Sequence, residues 1–227
     1  MNIVIASPHS RNSKMGEELQ EKYPALRFLH VTSHKELMSL NLHEVSPDWI
    51  FFPHWSWKVP SEIFSEFQCV IFHMTDLPFG RGGTPLQNLI LTGHKNTKIC
   101  ALKCEEGIDT GPVYCRRPLS LDGSAEEILS RAHLQIQDMI QEILDYELSP
   151  KPQIGQVVEF ERRSASDGDL ESLTDTSTVY DYIRMLDAEG YPNAYLQTSH
   201  LQFDFTNVER LGEDLIANVR ITRRTHD

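Results

Sequence analysis

The sequence is poor in several things, and each shortage excludes a class. It has 21 lysines and arginines against 33 aspartates and glutamates, a net charge of −12. A protein that grips RNA or DNA displaces counterions with a dense positive face, so a nucleic-acid partner is not expected. No apolar run is long enough to cross a bilayer, and no membrane association is expected. The opening MNIVIASPHSRNSK has no basic leader and no small-residue cleavage site. It reads as a first strand rather than a signal peptide, so a cytoplasmic location is expected. There are only four cysteines, Cys69, Cys100, Cys104 and Cys115. Their spacing matches no common zinc pattern and makes no disulfide framework, so reduced, mostly buried thiols and no metal are expected. No internal repeat and no low-complexity tract is present.

The hydrophobic share of 40% and aromatic share of 9% in 227 residues describe a globular chain with one sizeable core, or one main domain with an appendage. Apolar runs such as NIVIA (2–6), WIFF (49–52) and CVIF (69–72) alternate with helical stretches. Continuous apolar strands are what a sheet covered on both faces requires. The pattern predicts an α/β fold with a mostly parallel sheet. Strands are expected at 2–6, 27–32, 49–53, 67–73, 97–104 and 112–119, and helices near 14–22 and 34–40. The clearest helix starts at a capping box, Ser124 with Glu127, continues through Ile128, Ala132, Ile136, Ile140 and Ile143, and should end near Leu148. After the connector LSPKPQIG, residues 156–227 form a small strand-rich α+β extension with one helix. Residues 1–155 are the main domain.

The segment FHMTDLPFGRGGTPLQNLI (72–90) begins where a strand should end. In open parallel sheets ligands bind outside the carboxyl ends of the strands. His73 is therefore placed for chemistry. The Pro- and Gly-rich run behind it is a loop whose backbone bends sharply, and Pro85 suits the first turn of a helix. Farther on, EEGIDTGPVY carries Asp109 in a short loop between strands.

His73, Leu77, Pro78, Arg81, Gly82, Pro85 and Gln87 fall without a gap on a motif of the folate-dependent formyltransferases, and Asp109, Thr110 and Gly111 fall on that family's second motif. The chain resembles this family over about residues 1–160. FERRSASDGD and YDYIRMLDAEGYPNAYL also look like its later segments. The resemblance implies a Rossmann-like formyltransferase fold, and 10-formyltetrahydrofolate as formyl donor to an amine. It implies His73 and Asp109 at the reacting centre. The family's motif is Asn-x-His, but here the asparagine position is Ile71, so the donor that would steady the formyl oxygen must come from elsewhere. Thr75, Asp76 and Asn88 are the nearby polar candidates.

By the same resemblance the folate is expected against Trp57, Lys58 and Val59, the loop Phe79, Gly80, Arg81, Gly82 and Gly83, and Glu106, Gly107 and Ile108. Trp55 and Trp57 offer aromatic faces for the pterin or its benzoyl group, with a core or groove anchor as the alternative role. Ser10 and Arg11, with Thr75 and Asp76, are expected to meet the acceptor. A plain strand-to-helix connection with Ser13 as helix cap is the alternative for residues 10–13. The loop wording looks closest to sugar-nucleotide N-formyltransferases acting on 4-amino-4,6-dideoxy sugars, so an amino-sugar nucleotide (UDP- or dTDP-linked) is the expected acceptor. An aminoacyl or peptidyl amine is the alternative, although residues 156–227 read as too short and too acidic for the methionyl-tRNA branch itself. A non-catalytic folate-binding relative is a third reading. Apolar strands in 194–223 point either to pairing between subunits as a homodimer or to packing on their own domain.

Overall fold

The computed structural model describes residues 1–224. The chain runs β1 (Asn2–Ala6), α1 (Met15–Lys22), β2 (Arg27–Val31), α2 (His34–Ser39), α3 (Leu42–Val45), β3 (Trp49–Phe52), α4 (Ser61–Phe64), β4 (Gln68–His73) and β5 (Phe79–Gly82). There follow α5 (Pro85–Leu91), β6 (Asn96–Lys103), β7 (Val113–Ser120), α6 (Ala125–Tyr146), β8 (Val158–Phe160), α7 (Thr176–Leu186), β9 (Ala194–Gln197), β10 (Leu201–Leu211) and β11 (Asp214–Arg223). Packing divides it into two compact units. The first comprises Met1–Gly82, Thr97–Leu119 and Ser130–Glu159; the second comprises Gly83–Asn96, Ser120–Leu129 and the chain from Phe160.

The first unit holds a six-stranded sheet in the order β2-β1-β3-β4-β6-β7. Strands β1 to β4 are parallel, and β6 joins β4 antiparallel, with His73 opposite Cys100. Ile3, Val4 and Ile5 of β1, and Ile50, Phe51 and Phe52 of β3, are fully buried. That explains why these strands read as unbroken apolar runs, since each residue is covered whichever face it takes. Each such side chain contributes about 1.5–3 kcal/mol of burial. Helix α6 starts as expected: Ser124 Oγ accepts from the Glu127 amide, and the Glu127 carboxylate accepts from the Ser124 amide.

Two short strands escaped the sequence reading. β5 and β8 form a two-stranded ribbon. β5 is FGRG, with almost none of the β-branched content that signals a strand. Ser13 is not a helix cap: α1 is preceded by Lys14 with no side-chain cap, and Ser13 closes the short 3₁₀ turn Ser10–Asn12.

In the second unit β9, β10 and β11 make an antiparallel sheet in the order β11-β10-β9. Helix α7 is capped by Asp175, which accepts from the Thr178 amide. Arg184 is buried, with its guanidinium bonded to Asp181 and to the carbonyls of Leu121 and Gly123.

Candidate active site

His73 is the last residue of β4 and is 7% exposed. Its Nε2 lies 2.8 Å from the carbonyl of Gly80. A carbonyl only accepts, so Nε2 carries a hydrogen. That leaves Nδ1 facing the Asp109 carboxylate, 3.4 Å away. The loop between β6 and β7 brings Asp109 there with φ 53°, in the left-handed region that a non-glycine residue adopts at a cost of about 1–2 kcal/mol. The same carboxylate oxygen accepts the amide hydrogen of Gly82 at 3.0 Å.

The Gly80 carbonyl receives a second hydrogen bond, from Thr75 Oγ1 at 3.3 Å, and Thr75 is fully buried. Gly80 and Gly82 have φ of 74° and 102°, which explains glycine at both positions. Two more contacts hold the loop: Arg116 donates to the Leu77 carbonyl, and Asp76 pairs with Lys98 at 2.8 Å.

The structure thus brings together His73, Thr75, Gly80, Gly82 and Asp109 from the predicted set. Arg81 is near them through an unforeseen partner. Its Nε and Nη2 both donate to Gln153 Oε1 at 3.2 and 2.8 Å. Gln153 Nε2 donates in turn to the carbonyls of Asp109 and Gly111, both at 2.8 Å. Gln153 lies in the segment read only as a connector. Nothing local marks it, since the bridge that brings it in, Lys151 with Val113, is a long-range pairing.

The other predicted residues are placed apart from this cluster or serve the backbone. Asp76 is held by Lys98 and Arg116. Gly83 belongs to the second unit, where a Cβ would come within 2.5 Å of Arg162 Cβ, so close backbone approach alone requires glycine. Asn88 is spent there on the carbonyls of Gly83, Thr84 and Glu161. Ile71 packs among Leu77, Cys100, Leu102 and Val113. Val59 is buried in the core beside Phe52 and Ile63, leaving only its backbone for a ligand. Trp57 is 43% exposed and Ile108 is 66% exposed. Lys58, Glu106 and Gly107 are exposed as well. Trp55 packs edge-on against Phe52, its ring centroid 5.4 Å away, and serves the core.

Ser10 and Arg11 follow β1, beside a second histidine cluster. His54, just after β3, meets His9 edge to face at 6.0 Å. Burial, reinforced by the positive charges of His9, Arg11 and His133, pushes the His54 imidazole down to about 3. His133 Nδ1 donates to Asn12 Oδ1, and Asn12 Nδ2 donates to Ser7 Oγ at 2.6 Å. His133 is also lowered, chiefly by burial. The buried thiols Cys100 and Cys104 are raised, Cys100 mainly by burial and Cys104 first by its hydrogen bond with Cys69. Among the described residues no three His, Cys, Asp or Glu side chains converge as a metal site, and no helix is long and apolar enough to cross a membrane.

A histidine and a carboxylate lie together over a glycine-rich segment, at the carboxyl edge of an open α/β sheet, where such folds place their ligands and where general acid–base chemistry would need such groups. Comparison with known proteins gives this site a family. A methionyl-tRNA formyltransferase from Clostridium thermocellum has a solved structure that superimposes with a TM-score of 0.95 at 43% identity, covering 99% of this chain and all of that one. The methionyl-tRNA formyltransferase of Campylobacter lari is 29% identical over 139 residues, 60% of this chain and 46% of that protein. The family model of the methionyl-tRNA formyltransferase C-terminal domain matches residues 165–222. A sugar N-formyltransferase from Shewanella shares the fold alone, with 16% identity and a TM-score of 0.67 over all of this chain and 99% of that one. The chain belongs to the formyltransferase family, methionyl-tRNA formyltransferase-like. It spans about half the length of the curated relatives it matches.

The match to residues 165–222 corrects the reading of the tail as too short and too acidic for the methionyl-tRNA branch. Net charge describes solubility and association rather than fold.

Proposed function

We propose that this chain is an N-formyltransferase that uses 10-formyltetrahydrofolate and acts on the amine of an aminoacyl group. The observation that carries the reaction is the 3.4 Å approach of His73 Nδ1 to Asp109, with Nε2 fixed on Gly80. The choice of acceptor rests on the relatives, which are named for methionyl-tRNA at 43% and 29% identity, whereas the sugar enzyme is a fold neighbour only. One observation favours the amino-sugar nucleotide as second reading: a net charge of −12 is a poor match for a polyanionic partner. In that reading Ser10 and Arg11 meet the nucleotide. Residues 1–155 would form the catalytic domain and 156–227 its extension.

The residues present fit the folate in kind. Exposed Trp57 offers an aromatic face, Lys58 a cation for a carboxylate, and the backbone of Glu106, Gly107 and Ile108 polar groups for a heterocycle. When bound, the donor supplies an activated one-carbon acyl group. The chain must take a proton from the attacking amine and stabilise charge on the formyl oxygen. His73 Nδ1 is the proton acceptor, and the Asp109 carboxylate beside it orients the ring. Ile71 brings no hydrogen-bond donor, so the donors to that oxygen must be a backbone amide or the charged imidazole.

The test is tetrahydrofolate release from 10-formyltetrahydrofolate, with methionyl-tRNA and UDP- and dTDP-linked 4-amino sugars as acceptors, alongside His73→Ala. Turnover with methionyl-tRNA, lost in the variant, supports the proposal. Turnover with a sugar nucleotide alone moves the assignment to the second reading. Folate binding without turnover on any acceptor refutes the catalytic role.

A further inference from the structure

Asp109 has two jobs that pull on different parts of it. Its carboxylate must face His73, while its backbone occupies a left-handed conformation that an aspartate does not adopt freely. The direction of the carboxylate depends on that backbone, so something must hold it. Thr110 Oγ1 closes the preceding turn on the Glu106 carbonyl at 2.7 Å, and Gly111 lies against β6, where a Cβ would meet the Lys103 carbonyl at 1.9 Å. Those contacts fix the flanks. The carbonyl of Asp109 itself is held by Gln153 Nε2, which holds the Gly111 carbonyl as well.

The Gln153 amide is itself oriented. Arg81 grips its oxygen with two N–H groups, which settles which end is oxygen and turns both nitrogen hydrogens toward the loop. Gln153 arrives there because the chain after α6 pairs Lys151 with Val113, through bonds of 2.9 and 2.8 Å, at the first residue of β7. Arg81 belongs to the loop that supplies Gly80 to His73 and Gly82 to Asp109. One side chain therefore joins the loop that carries Asp109 to the segment that holds His73 through Gly80.

We propose that Gln153 is a positioning residue of the site: by clamping the Asp109 carbonyl against the Arg81 guanidinium, it holds the Asp109 carboxylate on His73 Nδ1. The assignment rests on the formyltransferase reading for its catalytic consequence but not for its structural one. A glutamine bonded only for stability would leave the His73 ring unaffected when removed. A clamp would not.

Three variants test this, with two readouts. Gln153→Ala removes the clamp. Gln153→Glu keeps an acceptor for Arg81 and removes both N–H donors. Asp109→Asn removes the carboxylate charge that the clamp directs and serves as reference. The first readout is the ring-nitrogen NMR resonances of His73 in the folded protein, which need no turnover. In both Gln153 variants Nδ1 should move from its wild-type position toward that of Asp109→Asn. The second readout is steady-state kinetics: kcat falls about 10- to 100-fold in both variants, with KM for the formyl donor changed less than about threefold. Wild-type Nδ1 resonances in folded Gln153→Ala, with a shift in Asp109→Asn, overturn the proposal. So does Gln153→Glu behaving as wild type in both readouts, because the pairing with Arg81 would then suffice. If no acceptor supports turnover, the functional reading fails and the resonances still decide the role of Gln153.

Discussion

Two neighbouring parallel strands of one sheet each deliver a histidine at or just past the carboxyl end, and the two ends are chemically opposite. At the end of β4, His73 is surrounded by acceptors: a carbonyl on one ring nitrogen and a carboxylate on the other. Just after β3, half-buried His54 feels His9, Arg11 and His133, and its Nε2 has no hydrogen-bond partner among the described residues. Both positions are reached by a run of apolar strand residues, and both look alike as strand-end histidines. What separates them is company. Acceptors give the His73 ring fixed hydrogen-bond partners, whereas cations and burial keep the His54 ring neutral. A strand-end histidine is thus a site only when the loops that follow bring it an acceptor, and here those loops are residues 74–82 and 104–112.

The most damaging change should be at the acceptor end. His73→Ala or Asp109→Asn should lower kcat by about 100- to 10,000-fold, with little effect on the denaturant midpoint for Asp109→Asn. Rates measured beside urea unfolding curves separate the two effects. Loss of folding rather than of rate would show that the pair is structural, like its counterpart after β3.

At the other end the expected signature is pH-dependent stability. The His54 pKa is about 3 in the folded protein against an ordinary value of 6.5. Between those values the unfolded chain binds the extra proton, so stability rises with pH across that window. The contribution is fully present above pH 6.5 and is lost as pH falls toward 3. From pH 7 to pH 4 it amounts to roughly 3 kcal/mol. His54→Gln should flatten that part of the profile, read from unfolding midpoints at the two pH values. An unchanged slope would mean that another group causes it.

This contrast also shows what was legible in the sequence and what was not. The parallel strands were readable because residues covered on both faces must be apolar throughout, as NIVIA is. His73 and Asp109 were readable because two spaced motifs coincide. Gln153 was not, since its role depends on a pairing between Lys151 and Val113 that no local pattern encodes. The strand Phe79–Gly82 was missed because three of its four residues are Gly, Arg and Gly, chosen for backbone shape and for bonding to the site. The reading of the acceptor leaned on the wording of the loop after His73, on net charge and on the length and acidity of the tail, whereas residues 165–222 match the methionyl-tRNA formyltransferase C-terminal domain, a pattern spread over a whole segment rather than a short motif.

The cationic end rests on a buried chain from Ser7 through Asn12 to His133, with Asn12 fully buried. Asn12→Ala leaves the Ser7 hydroxyl and the His133 Nδ1 hydrogen without partners and should cost about 1–3 kcal/mol. It should show as a lower urea midpoint with an unchanged slope. An undiminished midpoint would mean that water replaces the amide fully.

The smallest effect should come from the second donor at the acceptor end. Thr75 Oγ1 reaches the Gly80 carbonyl at 3.3 Å, longer than the 2.8 Å bond from His73 to the same oxygen. Thr75→Val is close in shape, removes that donor and leaves the carbonyl bonded to the imidazole. Because the acceptor keeps one partner, the cost should be about 0.5–1.5 kcal/mol of stability, with His73 still anchored and kcat within a few-fold of wild type. The comparison sharpens if the His73 ring-nitrogen resonances also stay in place, since the histidine alone then holds the loop. A shift of those resonances would show that Thr75 sets the position of the carbonyl on which the ring depends. The acceptor end would then need both donors to present Nδ1 to Asp109.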